Sequence, residues 1–377
     1  MLTGVLRSAV LVLLSLALAV GGAGCASQGP ILVGFAGELT GKRAELGVAG
    51  RDGAQLAVDV VNQSGGVNGR PLKLLARNDQ GDPDIARQVD TELIHEGVVA
   101  IVGHITSEQT AAVLDLMNES RVVLLSPTSS GSQFTGQADH FFRVMPSNEL
   151  MGQSLAAHIY TIRQVSQLTG IYDLSNRTFT ETFWQSVQAE FERLGGRTRS
   201  VTFASGKTDL NSLMAQIKLE QPEAVLFIAS AVDTALMVQY SQQYLLGAHL
   251  FSSTWAQTSE LLEKGGRAVE GLEMAATYNP QDASPVYQQF VQRFQARYKR
   301  PPDLASAHSY EAVLVLAQAL EQTRGQATGL PQALSTIKNL QGVQGLISID
   351  AYGDVMRDVY IVRVESGQFK VIQTISP

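Results

Sequence analysis

The sequence is poor in residues that several classes of protein require. Among its 377 residues there is 1 Cys, so no internal disulfide and no cysteine-based metal cluster can form. Basic residues number 28 against 35 acidic ones, and they occur at most in pairs such as Lys299-Arg300. A net charge of -7 without a basic cluster argues against nucleic acid as a partner, because phosphate binding needs a clustered positive surface.

Motifs typical of enzymes are also missing. The chain contains no Gly-x-Ser-x-Gly nucleophile elbow, no P-loop, no His-Glu-x-x-His zinc motif and no Gly-x-Gly-x-x-Gly dinucleotide fingerprint. His104 lies at the end of an apolar run and His308 lies within a helical pattern, where satisfied polar contacts are commoner roles than base or ligand. We therefore expect no catalytic residue, no metal and no cofactor.

What remains suits a globular protein of two domains. Hydrophobic residues make up 45% of the chain and charged residues 17%, which is ample apolar material for a core. At roughly 100–200 residues per domain, the length predicts two domains. After the first 25 residues no apolar run approaches the ~20 residues that span a bilayer, so we expect contact with the membrane only through an anchor.

The N-terminal segment predicts export. Ala9 to Val20 is a twelve-residue apolar run after a single charge, Arg7, as in a secretory signal peptide. Small residues then lead to Cys25, and the segment resembles the bacterial lipoprotein box, although Gly22 stands where Leu or Val is usual. This resemblance implies a signal peptide over 1–24, lipidation of Cys25 and a tether over 25–30. Ordinary secretion with Cys25 in a free tail, or a retained anchor, are the alternatives.

Short apolar runs alternate with helical patterns along the rest of the chain. Strand–helix–strand repetition predicts an α/β fold with parallel sheets covered by helices on both faces. The repetition starts again near residue 168, which indicates two similar lobes. The predicted strands are 31–36, 72–76, 98–102, 122–125, 168–172, 201–204, 225–228, 250–251, 346–349, 359–364 and 369–372, and the main predicted helices are 46–64, 183–194, 208–220, 232–246 and 306–322, with further helices beginning at Pro83, Ser107 and Pro285.

Six short motifs in a fixed order carry a family resemblance. They are Gly65-Gly-Val-Asn-Gly-Arg70, Asn78-Asp-Gln-Gly-Asp-Pro83, Ile101-Val-Gly-His104, Ser126-Pro127, Ser309-Tyr-Glu-Ala312 and Asp350 to Asp354. With them the chain, from about Ile31 to Thr374, resembles the periplasmic leucine/isoleucine/valine-binding proteins, which are type I solute-binding proteins of bacterial ABC importers. The resemblance implies two Rossmann-like lobes joined by a three-crossover hinge, near 147–149, 276–279 and 344–346. Lobe 1 would comprise 31–147 plus 278–345, and lobe 2 would comprise 148–277 plus 346–377.

Hydroxyl residues that follow the strands of lobe 1 are the candidate ligand contacts. Ligands of doubly wound sheets bind beyond the carboxyl ends of the strands, where helix N-termini offer free N–H groups. Thr40, Ser107 and the run Ser126 to Ser130 occupy such positions, and a hydroxyl beside a backbone N–H suits a carboxylate. The resemblance implies that Ser107 and Ser130 hold the ligand's α-carboxylate, with help from the backbone at Thr128. Without the resemblance, Ser107 could equally be only a helix N-cap.

Lobe 2 departs from the family pattern. Relatives that bind aliphatic amino acids carry an acidic residue for the ammonium group after the strand at 250–251, whereas this chain has Ser252-Ser-Thr-Trp-Ala256. The ammonium partner is therefore either displaced to Glu181, Asp173 or Asp233, or absent. In the second case Phe179 and Trp255 could enclose an aromatic ring or a cation. Ser230 and Thr254 complete the expected contacts of this lobe.

These observations predict an exported solute-binding protein. We expect a monomer on the outer face of the cell membrane or in the periplasm that binds an amino acid or a related small carboxylate. Closure of the hinge would trap the ligand for the permease subunits of an ABC importer. The alternatives are a ligand sensor of the same fold that reports to a receptor or regulator, a binder of an aromatic carboxylate, and a purely structural envelope lipoprotein.

Overall fold

The computed structural model describes residues 29–41, 44–245 and 247–376. The predicted signal peptide and the predicted lipidation site Cys25 lie outside these ranges. In the described part of the chain, no helix is both long enough and apolar enough to cross a membrane.

The first lobe is built on a parallel sheet of five strands in the order β2-β1-β3-β4-β5. Its strands carry mostly buried residues because helices cover both faces, as expected for a parallel sheet. The strands are β1 (Ile31–Gly37), β2 (Leu72–Asn78), β3 (Ala100–Val102), β4 (Val123–Ser126) and β5 (Phe141–Arg143), and the helices between them are α1 (Ala44–Gln63), α2 (Pro83–His95) and α3 (Ser107–Ser120).

The second lobe is built on a sheet of seven strands in the order β14-β13-β10-β9-β8-β6-β7. The five strands β6 to β10 are parallel, and β13 and β14 join antiparallel beside β10. The elements are α4 (Asn148–Ala157), β6 (Gln167–Asp173), α5 (Arg177–Arg193), β7 (Arg197–Phe203), α6 (Leu210–Lys218), β8 (Ala224–Ile228), α7 (Ala231–Tyr244), β9 (His249–Ser252), α8 (Ser259–Gly265), β10 (Glu273–Ala276), β13 (Val359–Glu365) and β14 (Gln368–Ile375).

After β10 the chain returns to the first lobe and completes its core. The apolar side chains of the helices in this return pack in one cluster with those of α1 and β1. The elements of this return are α9 (Pro285–Tyr298), α10 (Leu304–Thr323), α11 (Leu330–Ser335), β11 (Leu340–Gly342) and β12 (Gly345–Ile347).

Two sequence expectations about the C-terminal part need correction. The strand expected at 346–349 is not part of the main sheet; β12 pairs with β11 in a separate hairpin. Residues 346–355, assigned to lobe 2, also stay with lobe 1: Gly353 accepts a hydrogen bond from the Arg143 N–H, and Asp354 binds the Arg143 guanidinium. The third crossover therefore follows residue 355 rather than lying near 344–346, because Asp354 anchors the segment to β5.

Candidate functional site

A small cavity lies between the two lobes, at the carboxyl ends of their parallel strands. Its volume is about 30 Å³. The side chains around it come from both lobes, and most are buried. The lining residues are Leu46, Ile105, Thr106, Ser107, Thr128, Met145, Asn176, Phe179, Thr254, Trp255 and Leu304.

Ser107 presents a hydroxyl group at this cavity. It is the first residue of α3, directly after the loop that follows β3. Its Oγ accepts hydrogen bonds from the N–H groups of Ser130 at 3.2 Å and Gly131 at 3.4 Å. Because the oxygen accepts both bonds, its own hydrogen can be donated to a group in the cavity. The arrangement suits an anionic oxygen such as that of a carboxylate.

Ser130 is placed differently from the sequence expectation. Its hydroxyl is fully buried and donates to Asn148 Oδ1 at 2.8 Å. Asn148 in turn donates to the carbonyl of Phe179, so this contact ties the 126–130 loop to the second lobe. Ser130 does not line the cavity. It supports Ser107 through its backbone N–H, and its hydroxyl is already used.

Thr128 lines the cavity, and hydrogen bonds to the preceding strand hold its loop. The Thr128 hydroxyl donates to the Ile105 carbonyl at 2.6 Å. The hydroxyls of Ser126 and Ser129 both donate to the His104 carbonyl, at 2.9 and 3.2 Å. The backbone after β3 therefore fixes the loop that follows β4.

His104 anchors that backbone through a buried charged cluster. Its Nδ1 lies 2.6 Å from Asp79 Oδ2 and its Nε2 lies 3.0 Å from Asp90 Oδ2, with all three side chains nearly or fully buried. Burial by itself would lower the pKa of His104, but Asp90 and Asp79 outweigh it and raise the pKa to about 10. The imidazole is therefore a cation at neutral pH, with a structural role.

The second lobe contributes an aromatic wall. Phe179 on α5 and Trp255, in the turn after β9, meet edge to face with ring centroids 5.9 Å apart at 76°. Both rings line the cavity. The hydroxyl of Thr254 is buried beside them without a hydrogen-bond partner among the described residues. Such a group carries a free-energy cost until a ligand or water satisfies it.

Ser230 lies at a second, smaller void of about 10 Å³ on the far side of Trp255 and Leu46, which line both voids. Its hydroxyl caps α7 by hydrogen bonding with the N–H of Asp233. Thr40 is exposed, accepts a hydrogen bond from Asn78 at 2.7 Å and does not line either void. These two hydroxyls therefore serve local structure, and only Ser230 is near the cleft.

The three candidate ammonium partners all point elsewhere. Glu181 forms an ion pair with Arg177 at 2.6 Å on the outer part of α5. Asp173 is fully buried and accepts from the N–H groups of Ser175 and Ser205. Asp233 accepts from the hydroxyls of Ser205 and Ser230. None of the three is among the residues that line the cavity.

Two acidic residues that the sequence did not single out lie at the cleft instead. Glu45 on α1 accepts hydrogen bonds from Thr258, Ser259 and Glu260 of the second lobe. Glu108 on α3 accepts from the Thr178 N–H of α5. Glu45 directly precedes Leu46 and Glu108 directly follows Ser107, and both of these neighbours line the cavity. Adjacency to Ser107 is the signal by which the sequence could have pointed to Glu108.

A buried polar cluster contacts all three crossovers between the lobes. Glu311 on α10 binds the guanidinium of Arg357 and accepts from the Gln344 N–H at 2.8 Å. Arg357 also donates to the carbonyl of Val144 at 3.2 Å. His308, on the same helix, contacts Thr277 at 3.1 Å. Residues of all three crossovers therefore meet at one turn of α10.

Comparison with known protein families places the chain among solute-binding proteins. The family model described as periplasmic binding protein matches residues 30–368. A leucine-, isoleucine-, valine-, threonine- and alanine-binding protein of Pseudomonas aeruginosa is 24% identical over 294 residues, which is 78% of each chain. An amino acid binding protein of the same organism is 26% identical over 342 residues, covering 88% of this chain and 89% of that one.

Solved structures confirm the two-lobed type I architecture. A leucine binding protein from Thermotoga maritima has a TM-score of 0.86 at 24% identity, covering 92% of this chain and 99% of that one. A branched-chain amino acid transporter substrate binding protein from Streptococcus pneumoniae, in complex with isoleucine, has a TM-score of 0.85 at 21% identity, with 92% and 100% covered. A solute binding protein of an R. palustris ABC transporter, in complex with benzoate, has a TM-score of 0.83 at 20% identity, with 93% and 97% covered.

Proposed function

The chain belongs to the periplasmic binding protein family, and on that premise we propose that it is the solute-binding lipoprotein of an ABC importer. It binds an amino acid or a related small carboxylate between its lobes and delivers it, as a monomer, to the permease subunits. The observation that carries the proposal is the Ser107 hydroxyl, which lies at the interlobe cavity with two backbone N–H groups bonded to its oxygen. The family implies an extracytoplasmic location, and the lipid anchor at Cys25 is part of the proposal.

The ligand's carboxylate binds at Ser107 and the backbone of Thr128. Ser107→Ala removes the hydroxyl donor and also the acceptor of the Ser130 and Gly131 N–H groups, so thermal unfolding of the variant is compared with that of the parent before binding is measured. We expect the affinity for the best ligand of a thermal-shift panel to fall at least about tenfold, in line with the loss of a hydrogen bond to a charged group. Ser120→Ala, at the other end of the same helix, is the matched control. Equal affinity of the Ser107→Ala and control variants in calorimetry would refute this site.

A second candidate is an aromatic carboxylate that lacks an ammonium group. Two observations favour it: the residues that line the cavity include no acidic side chain, and Phe179 and Trp255 form an aromatic wall. Structural neighbours of similar TM-score were solved in complex with benzoate and with 4-hydroxybenzoate. A carboxylate at Ser107 would place an aromatic ring against this wall, where it needs no charged partner.

Titration with leucine and with benzoate separates the two candidates. The protein is first unfolded and refolded to remove any ligand carried through purification. Micromolar binding of leucine and none of benzoate supports the amino acid, and the reverse supports the aromatic acid. Trp255→Leu keeps an apolar residue but removes the ring, so it should weaken benzoate more than leucine. Trp184→Leu, a buried tryptophan away from the cavity, controls for general loss of packing.

Lipid attachment is tested separately. The intact chain expressed in a bacterium with a radiolabelled fatty acid should take up the label, and Cys25→Ser should lose the label and release the protein from membranes. Incorporation that persists in Cys25→Ser would contradict anchoring at that residue. Neither result bears on ligand binding.

A further inference from the structure

The side-chain hydroxyls that line the interlobe cavity differ in whether the protein already uses them. Thr106 donates to a glutamine in the first turn of α3, and Thr128 donates to a backbone carbonyl of lobe 1 at 2.6 Å. A hydroxyl has a single hydrogen, so neither group can also donate to a ligand. The hydrogens of Ser107 in lobe 1 and Thr254 in lobe 2 remain for that purpose.

The Thr254 hydroxyl is not bonded by any residue that the structure describes. Thr254 is 2% exposed and begins the turn that follows β9, and its Oγ1 is buried without a partner among the described residues. The turn is closed by the backbone, because the Gln257 N–H donates to the Thr254 carbonyl at 3.0 Å. The hydroxyl is therefore not needed to form the turn, and both its hydrogen and its lone pairs can serve a ligand in the cavity that it lines.

Aromatic and apolar side chains surround this hydroxyl at the cavity. Trp255 and Phe179 meet edge to face at 76°, and Leu46 and Met145 line the same space. Phe179 is held in place by Phe183, which stacks on it with ring centroids 5.7 Å apart. Rings that meet at such angles offer both a face and an edge to a further ring. The body of a ligand here is therefore best matched by an aromatic ring.

The group that Thr254 can bind on such a ligand is uncharged. An ammonium group has three donors, and its burial is costly unless an anion or several acceptors surround it. The described residues that line the cavity include no Asp or Glu, and Thr254 supplies only one hydroxyl oxygen. A hydroxyl group on the ligand needs one donor and one acceptor, and Thr254 provides both.

We propose that Thr254 selects a hydroxylated aromatic carboxylate, in which a ring carries a carboxylate and an uncharged hydroxyl group. Ser107 binds the carboxylate from lobe 1, Phe179 and Trp255 contact the ring, and Thr254 binds the hydroxyl group from lobe 2. The void of about 30 Å³ holds only a few water molecules, so the lobes stand further apart around a bound ring. This inference rests on the proposed function, because it concerns the far end of the same site.

Titration of the refolded chain with benzoate, 3-hydroxybenzoate and 4-hydroxybenzoate tests the selection. We expect one of the hydroxybenzoates to bind about tenfold more tightly than benzoate, as one added buried hydrogen bond allows. Thr254→Val keeps the branched shape of the side chain and removes the hydroxyl. It should abolish this preference and leave the affinity for benzoate unchanged. Thr202→Val, an exposed position on β7, is the matched control and should retain the preference.

Several results would overturn the proposal. Benzoate may not bind as tightly as both hydroxybenzoates, and the preference may not survive in Thr254→Val. Thermal unfolding of Thr254→Val at a lower temperature than the control would show that a protein group depends on the hydroxyl. Binding of leucine without binding of any of the aromatic acids overturns the selection and leaves the proposed function intact. If none of the four compounds binds, the proposed function fails together with the selection.

Discussion

His104 anchors the loop that follows β4 and carries Thr128. Its imidazole lies between Asp79 and Asp90, and its carbonyl receives the hydroxyls of Ser126 and Ser129. The loop that carries Thr128 is thus held by a residue that does not line the cavity. A histidine at a strand end gave no hint of this in the sequence, because both carboxylates come from other elements.

Replacing His104 should destabilise the protein strongly. His104→Gln leaves two buried carboxylates without a cation, which costs on the order of 3–5 kcal/mol in the free energy of unfolding at neutral pH. Since folding raises the pKa of His104 from 6.5 to about 10, its stabilising contribution is complete below pH 6.5 and is lost as pH rises through 10. Urea unfolding at several pH values measures this. The exposed His95→Gln is the control, and equal stabilities of the two variants would contradict the charged cluster.

Single residues of the site were predictable only in part. Ser107 was identified because a hydroxyl at the start of a helix after a strand has a recognisable position. The hydroxyl of Ser130 faces Asn148, eighteen positions along the chain, and such a partner cannot be deduced from local sequence. The family resemblance implied that both residues contact the ligand, whereas in the structure the Ser130 hydroxyl contacts a helix of the other lobe.

At the scale of elements, helix α1 shows why some glycines are needed within a helix. A Cβ atom at Gly53 would overlap the carbonyl of Ser306 at the start of α10, and one at Gly47 would overlap the carbonyl of Glu38. These glycines let α1 approach α10 and the loop after β1 closely. Because α1 carries Glu45 and Leu46, the close packing sets the position of one side of the cleft.

Gly53→Ala should therefore destabilise the protein although it favours the helix. Ala is better than Gly in a helix interior by about 1 kcal/mol. Overlap with the backbone of α10 should outweigh this gain and leave a net loss of roughly 1–3 kcal/mol, the usual cost of overpacking. Thermal unfolding gives the sign directly. Gln63→Ala, at the C-terminal end of α1, is the control, and a rise in stability of Gly53→Ala would disprove the close contact.

Elements with strong patterns were predicted from the sequence, and short ones were missed. β1, β8 and the helices near Ser107 and Pro285 were identified from apolar runs and N-caps. β5 has 3 residues, too few to show a period. β10, Glu273–Ala276, begins with a charged residue and was missed for that reason, although in the structure His158, Arg163 and Arg363 surround Glu273.

At the scale of the whole molecule, the cluster around Glu311 and Arg357 unites the crossovers. Burial alone would raise the pKa of Glu311, but Arg357 and His308 outweigh it and hold the pKa well below its usual range. The pair is fully enclosed, so neither charge can be solvated if the other is removed. The sequence could not reveal this pair, because Glu311 on α10 and Arg357 in the third crossover are 46 residues apart.

Arg357→Leu should weaken the connection between the lobes. It leaves Glu311 buried without its cation, and we expect a loss of about 3–5 kcal/mol in the free energy of unfolding at pH 7. Because an unpaired buried carboxylate has a raised pKa, part of that loss should be recovered at pH 5, whereas the parent should not gain stability there. Calorimetry at both pH values tests this. Arg193→Leu, whose side chain is 67% exposed, is the control, and a loss no larger than the control's contradicts the prediction.

Two lobes and their order were thus predictable, but the third crossover was misplaced by about ten residues. Apolar alternation marks strands without saying which sheet they join. The assignment of residues 346–355 depended on Asp354 binding Arg143, a contact across more than two hundred positions.

The meeting of all three crossovers at one turn of α10 has a mechanical consequence. Any rotation of one lobe against the other must pivot close to Glu311, so the pivot moves least and the far rim of the cleft moves most. In the proposed closure, a tilt of a few degrees near Glu311 would produce a much larger displacement at the far rim of the cleft. On the proposed function, substitutions near Glu311 would therefore change ligand affinity without altering any residue that lines the cavity.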